Sequence, residues 1–504
     1  MHERVVVLGL DGASWRCLHR MIELGAMPQT KGELDNAARG ILQSSYPPVT
    51  PSAWPSISTG VNPGKHGIFD FASVDPVTGQ QRLTSTLDLE HPRIYEMVAM
   101  QGIQTLVFEP MPSYPLIPME NINIVSSFLA PKPVCYPDHM KRYIESYPEY
   151  TETFEARRGK SLDKELFLEL KLHRTRQRLT VIQDALNRED WRLAWLRLQD
   201  PDNMLHSVAD EIYAGHPKAV EIFALIDELV KTLRHVSDLV VMVSDHGFER
   251  YDHVVNINSI LYDNGFIRLA TSQGVLDYDA IMGDHGHAEK NPTHSAAFPI
   301  TFGLLRKVTD SKLRFVTNIG RSILKIAGVE YQFPRVDPVS SSAYYPTPNS
   351  YGIVVKDETQ LRTVQEILMN SRGISSVKRR EEMYWGPYVG RALPLMIIAD
   401  YERGYKLGSN RVETRSHFDD PAWDHHPHGI ISFTGEGVSS RDLGVINAWD
   451  VAPTIMSYMG IPIPNDTDGR LLIDFSDWAP ESCDYVTLWR RIKSSMSSVT
   501  GNRC

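Results

Sequence analysis

Three apolar runs, each ending in a carboxylate, constrain the fold of this chain more than any other feature. Val5 to Leu10 runs into Asp11, Leu193 to Leu198 into Gln199 and Asp200, and Leu239 to Val243 into Ser244, Asp245 and His246. Apolar runs of this length suit strands covered on both faces. Helical patterns lie between and beside them, from Leu162 to Leu186 and from Lys218 to Leu233. Strands alternating with helices predict an α/β fold with a mostly parallel central sheet flanked by helices. Ligands bind beyond the carboxyl ends of the strands in such sheets, so acidic residues there mark where a site would lie.

The 504 residues allow one elaborated domain or two. Residues 1–129, 190–269 and 339–489 read as three parts of a catalytic core, the last opening with an α+β segment around Ser350 to Ile398. The charged, aromatic and helical stretch 130–189 reads as an insertion over the active-site end of the sheet, and 270–338 as a second, variable insertion. The basic, Ser-rich tail 490–504 is expected to be poorly ordered. The opening MHERVVVLGLDG enters a strand pattern at once and leaves no room for a signal peptide. No apolar run is long enough to span a bilayer, which predicts no membrane partner. The four cysteines show no metal-type spacing and no disulfide framework. Together these features predict a cytoplasmic protein. A net charge of −10 argues against a nucleic-acid scaffold. It leaves an anionic small substrate open, because bound metal ions reverse a local field.

Five segments carry side chains suited to chemistry. The first is Asp11, where a strand-terminal Asp serves equally as a turn cap. The second is YPPVTPSAWPSISTGVNPGKHGI, Tyr46 to Ile68. Here Thr50, followed by Pro51, stands where a helix begins, and Pro55 predicts that this helix is short or starts late. A hydroxyl at a helix N-terminus lies where the dipole favours an anion. The third is QDPDNMLHS, in which Asp202 and His206 share one face if the segment is helical. The fourth is SDHGF, an adjacent Asp245 and His246 beyond a buried strand. The fifth is WDHHPHGI, a His-rich loop with His425, His426 and His428. Oxygen and nitrogen donors of this kind suit two divalent ions, Zn²⁺ first and Mn²⁺ second. Such a pair would leave positive charge over to activate a hydroxyl and hold a phosphoryl group.

In this order the motifs resemble the alkaline phosphatase superfamily, and most nearly its type I phosphodiesterase/nucleotide pyrophosphatase family. DVAPTIMSYMGIPIPNDTDGRLL, Asp450 to Leu472, is similar to the family's C-terminal segment. EEMYWGPYVGRALPL, Glu381 to Leu395, is similar to bacterial and archaeal members. The resemblance implies one metal held by Asp11, Thr50, Asp245 and His246, and another by Asp202, His206 and a late histidine. That histidine is expected to be His425, with His426 or His428 as alternatives. Asp200 is a rival to Asp202 that lacks its spacing to His206.

The implied activity is hydrolysis of phosphodiesters or nucleotide-type phosphoanhydrides through a phosphothreonine on Thr50. The implied partner is a small phosphorylated substrate such as a nucleotide or nucleotide conjugate. His66 reads as structural. Sulfatases of the superfamily need C/S-x-P-x-R, and the run from Thr50 to Trp54 does not supply it. Nucleotide pyrophosphatases also tend to carry an Asn donor five residues after the His of the H-G motif, and here that position is Phe71. The change removes a polar donor and suggests an apolar substrate wall, which predicts a preference for diesters. A phosphomonoesterase, a phosphomutase and a catalytically dead binding member are the competing readings. The last would be expected to have lost a ligand or the nucleophile, and neither is missing.

Overall fold

A computed structural model describes residues 4–127, 129–130, 132–146, 163–270, 335–475 and 481–500. The nine-stranded sheet at its centre runs in the order Arg441–Asn447, Ala38–Gln43, His428–Gly435, Leu239–Val243, Val5–Leu10, Leu193–Leu198, Thr105–Phe108, Ile122–Val125, Cys135–Tyr136. The five strands from Leu239–Val243 to Ile122–Val125 are parallel neighbours. His428–Gly435 runs antiparallel to both of its neighbours. The three apolar runs are three adjacent strands, with Val5–Leu10 in the middle.

Side chains of the central strand alternate between two separate cores. Val6, Leu8 and Leu10 face one, and Val5 and Val7 face the other. Each such fully buried Val or Leu contributes about 1.5–3 kcal/mol. This two-sided burial is why the strands read as unbroken apolar runs. The first core takes in helices Pro217–Val236 and Lys164–Arg188, and the second takes in Ile94–Met100 and Val451–Tyr458.

Two smaller sheets sit beside the main one. Ala343–Tyr344, Gly352–Val355, Leu395–Ala399 and Ile374–Arg379 form a four-stranded antiparallel sheet with its own apolar core. Val49, beside the Thr50 turn, belongs to that core. Tyr405–Leu407, Gly247–Val255 and His417–His426 form a three-stranded sheet. The His-rich segment is therefore not a loop. His425 and His426 end one strand and His428 opens another, because backbone pairing with Gly247 and Phe248 extends the chain there.

Tyr485–Thr500 is helical. Tyr485 and Trp489 bury one face of it, and Lys493 donates to the carbonyls of Leu87 and Leu89. The parts of the two expected insertions at 147–162 and 271–334, and the tail residues 501–504, lie outside the described residues. Among the described residues, no helix is long and apolar enough to cross a membrane.

One buried carboxyl links the main sheet's side of the molecule to the smaller sheet. Asp70 accepts from the backbone N–H of Phe71 at 2.6 Å and from Thr347 Oγ1 at 2.5 Å. Burial pushes its pKa from 3.8 up to about 7, against the opposing effect of those hydrogen bonds. An acid with a raised folded pKa contributes stability that is full below 3.8 and is lost as pH rises through about 7. Asp70→Asn removes this loss. From pH 4 to pH 8 the variant should gain on wild type by on the order of a few kcal/mol. Denaturant midpoints across that range check it, and a constant difference would mean that Asp70 ionises normally in the fold.

Candidate active site

The sheet register assembles the acidic end of the site. Gly9 pairs with both Arg197 and Val243, so Asp11 emerges beside the ends of both neighbouring strands. The Gly12 N–H donates to Asp245 Oδ1 at 3.2 Å. Gly12 has a φ of +69°, and a Cβ there would lie 3.1 Å from the Asp202 backbone. Only glycine lets these two segments approach so closely without strain.

Thr50 is the first residue of helix Thr50–Thr59, with Val49 as its cap and Pro51 second. Its hydroxyl is buried and lies 3.5 Å from Asp11 Oδ1. The helix continues through Pro55. Ser56, Ser58 and Thr59 hydroxyls return to the carbonyls of Ser52, Trp54 and Pro55, which supports the turn that lacks the proline N–H. His66 is buried against this helix, with Nε2 2.9 Å from Ser56 Oγ. Burial depresses its pKa to about 3, which keeps it neutral, and its role there is structural.

Asp202 and His206 lie one turn apart on helix Asp200–Ala214, which departs from helical geometry at Val208. His425 arrives from the three-stranded sheet, where it pairs with Phe248. Its Nε2 sits 2.9 Å from His206 Nε2, and each of these nitrogens is 3.4 Å from Asp202 Oδ1. His246 stacks on His425 with ring centroids 3.9 Å apart. His246 Nε2 is 3.4 Å from Asp245 Oδ2 and 3.8 Å from Asp11 Oδ1.

Three buried donor atoms in this cluster make no hydrogen bond: Asp202 Oδ1, Asp245 Oδ2 and His246 Nε2. Buried polar atoms are normally paired, so orphans that converge call for a cation. Two sets of donors lie close enough to hold one ion each. They are Asp202 with His206 and His425, and Asp11 with Asp202 and His246. The donor chemistry fits divalent ions bound through carboxylate and imidazole.

The charges agree with this reading. Burial raises the pKa of Asp11, opposed by Arg197. Burial and then the neighbouring Asp11 hold Asp245 well above its ordinary value. Burial keeps His246 neutral, with its lone pair free to bind. For Asp202 burial acts upward too, but His206 and His425 outweigh it and hold the carboxyl ionised.

The sequence-level alternatives separate here. Asp200 is committed elsewhere: it accepts from Thr175 at 2.7 Å and Arg178 at 2.6 Å, and Lys171 is 3.0 Å away. His426 faces Tyr401 and accepts the His428 N–H, so His425 is the histidine that joins the cluster. Phe71 packs in the apolar core that contains Trp54 and Ile57. Two residues went unread in the sequence. Arg197, fully buried, and Trp54 both bond Asp11. The signal was available in the strand LAWLRL, since a charge inside an unbroken apolar strand requires a buried partner.

A family model for type I phosphodiesterase / nucleotide pyrophosphatase matches residues 5–306. No curated protein matches the chain. Among solved structures, the chain is similar to phosphonoacetate hydrolase from Sinorhizobium meliloti 1021 in complex with phosphonoformate. Identity is 14%, the TM-score is 0.55, and the match covers 90% of this chain and 94% of that one. It is also similar to murine ectonucleotide pyrophosphatase / phosphodiesterase 5, at 13% identity and a TM-score of 0.52, covering 93% and 98%. An inactive threonine-to-alanine form of that murine protein, in complex with AMP, matches at 12% identity and a TM-score of 0.51, covering 93% and 97%. At these identities the likeness is one of fold.

The split between Asp200 and Asp202 is testable. Asp200→Asn should keep the metal content of wild type while costing about 3–5 kcal/mol of stability, because Arg178 and Lys171 lose a buried counter-charge. Asp202→Asn should lose metal instead. Elemental analysis and denaturant unfolding of both variants separate the two roles, and the reverse pattern would exchange them.

Proposed function

Since the chain belongs to the type I phosphodiesterase/nucleotide pyrophosphatase family, whose members are metal-dependent phosphoester hydrolases, we propose that it hydrolyses small phosphodiesters or nucleotide-type phosphoanhydrides through a covalent phosphothreonine on Thr50. The observation that carries this reading is the Thr50 hydroxyl. It is buried at a helix N-terminus, 3.5 Å from Asp11 and beside converging donor atoms that no hydrogen bond satisfies.

In this reading Asp11, Thr50, Asp245 and His246 would hold one divalent ion, and Asp202, His206 and His425 the other. Asp202 also lies close enough to Asp11 and His246 to serve the first. Bound Zn²⁺, or Mn²⁺, would supply Lewis acidity that lowers the hydroxyl's pKa and offsets charge on the phosphoryl oxygens. Thr50 Oγ1 attacks phosphorus as the bond to the leaving oxygen breaks; the hydroxyl proton passes by way of solvent to the departing oxygen, and the phosphoryl group stays on Thr50. In the first turn of helix Thr50–Thr59 the Ser52 and Ala53 N–H groups bond the Val49 carbonyl, so it is the dipole at the helix N-terminus that favours the anion there. Water then displaces Thr50 from phosphorus and restores the free hydroxyl.

Thr50→Ala should abolish turnover, by at least about a thousandfold, with the fold and most metal retained. Rapid quench with labelled substrate should place phosphoryl on Thr50, not on Ser52 or Thr59. Near-normal turnover in the variant would replace the covalent route with direct attack by water. A screen of aryl monoesters, aryl diesters, nucleotides and nucleotide sugars assigns the substrate class. Preference for monoesters would favour a phosphomonoesterase, and transfer without loss to water a phosphomutase.

A further inference from the structure

The ion pair between Asp11 and Arg197 has no part in the hydrolytic scheme above, yet it is the most deeply buried charge contact of the site. Neither side chain has solvent exposure. Arg197 Nε donates to Asp11 Oδ2 at 2.8 Å, and Nη2 lies 2.6 Å from the same oxygen. Trp54 Nε1 donates to it as well, at 3.0 Å. Two N–H donors and the guanidinium charge thus converge on one carboxylate oxygen, while the other, Oδ1, faces Thr50 and His246.

Each donor is fixed in its own way. Arg197 stands in register with Gly9, inside the sheet, and its Nη1 also reaches the Glu109 carbonyl at 3.4 Å. Trp54 lies one turn after Thr50 on the same helix. Its ring lies over Gly9, where a Cβ would be 2.5 Å from it. Asp11 Oδ2 therefore ties three elements together: the central strand, the neighbouring strand and the helix that carries Thr50.

We propose that Arg197 and Trp54 are positioning residues that reserve Asp11 Oδ2, so that Asp11 meets a bound divalent ion through Oδ1 alone and at a fixed distance from Thr50. The inference rests on the reading of Asp11 as a metal ligand. Its physical content has two parts. Donors to the far oxygen of a carboxylate ligand fix its orientation. The permanent guanidinium charge also repels a cation at the near oxygen, and this limits how tightly three buried carboxylates can hold the ion.

The test is calorimetric titration of chelator-treated full-length protein with Zn²⁺, together with steady-state kinetics. Arg197→Met should bind the ion at the Asp11 position at least about tenfold more tightly than wild type, since a buried cation is gone. Its kcat should fall at least about tenfold with KM little changed, because Asp11 is no longer held. Arg197→Lys should keep near-wild-type affinity, since the charge stays, but lower kcat, since the fork is lost. Trp54→Phe removes only an uncharged donor, keeps the positioning role testable should Arg197→Met fail to fold, and should lower kcat without weakening metal binding. Equal or weaker binding by Arg197→Met overturns the charge effect. Unchanged kcat in both Arg197→Lys and Trp54→Phe overturns the positioning role. A wild-type protein that binds no divalent ion defeats the metal reading itself, and the same titration reveals it.

Discussion

Three carboxylates packed into one buried cluster are the constraint on which the rest of the site depends. Asp11 and Asp245 have no exposure and Asp202 only 6%. Water cannot screen their repulsion, and within the cluster Arg197 is the cation paired with Asp11. Burial first, and the neighbouring carboxylates second, raise the pKa values of Asp11 and Asp245, and three donor atoms are left without hydrogen bonds. Such an arrangement is stable as a receptor for positive charge and makes little sense as packing. Thr50, the imidazoles and the carboxylates are all held on helices and strand ends, which suits chemistry that depends on placement more than on motion.

The supporting shell repeats the same electrostatic problem at its edge. Asp200 and Glu109, at the carboxyl ends of adjacent strands, are paired with Lys171 and Arg178 from helix Lys164–Arg188. Buried pairs of this kind seldom add net stability over apolar side chains of the same size, because desolvation offsets their attraction. Their effect is on geometry. Asp200 opens the helix that carries Asp202 and His206, so anchoring it fixes where those two side chains start. A charged helix that the sequence marks as inserted is thus tied to the placement of the site.

What the sequence by itself determined follows from local physics. Two-sided burial left unbroken apolar runs at Val5–Leu10, Leu193–Leu198 and Leu239–Val243, and parallel topology placed the acids at their ends. The four-residue spacing of Asp202 and His206 and the Pro-flanked Thr50 were equally legible, because helical periodicity and helix starts act over a few residues. The order of the motifs named the family.

Only the tertiary structure decided the rest, since it turns on partners far apart in the chain. Asp200 and Asp202 look alike in sequence, and they part because Arg178 and Lys171, more than twenty residues upstream, claim the first. His425 and His426 are adjacent, and strand register with Phe248 and Gly247 gives them different neighbours. Phe71, which suggested a substrate wall, packs in the apolar core with Trp54 and Ile57, neighbours that its own segment does not announce. Trp489, just before the expected tail, is buried with its indole N–H on the Leu89 carbonyl, four hundred residues away in the chain. Arg197 shows the limit most clearly. Its charge in an apolar strand announced that a counter-charge exists, but only parallel register between strands nearly two hundred residues apart identifies Asp11 as that partner. A sequence specifies which groups must be satisfied, and the fold specifies by whom, because hydrogen bonds and charges act through space at a few ångströms whatever their separation along the chain.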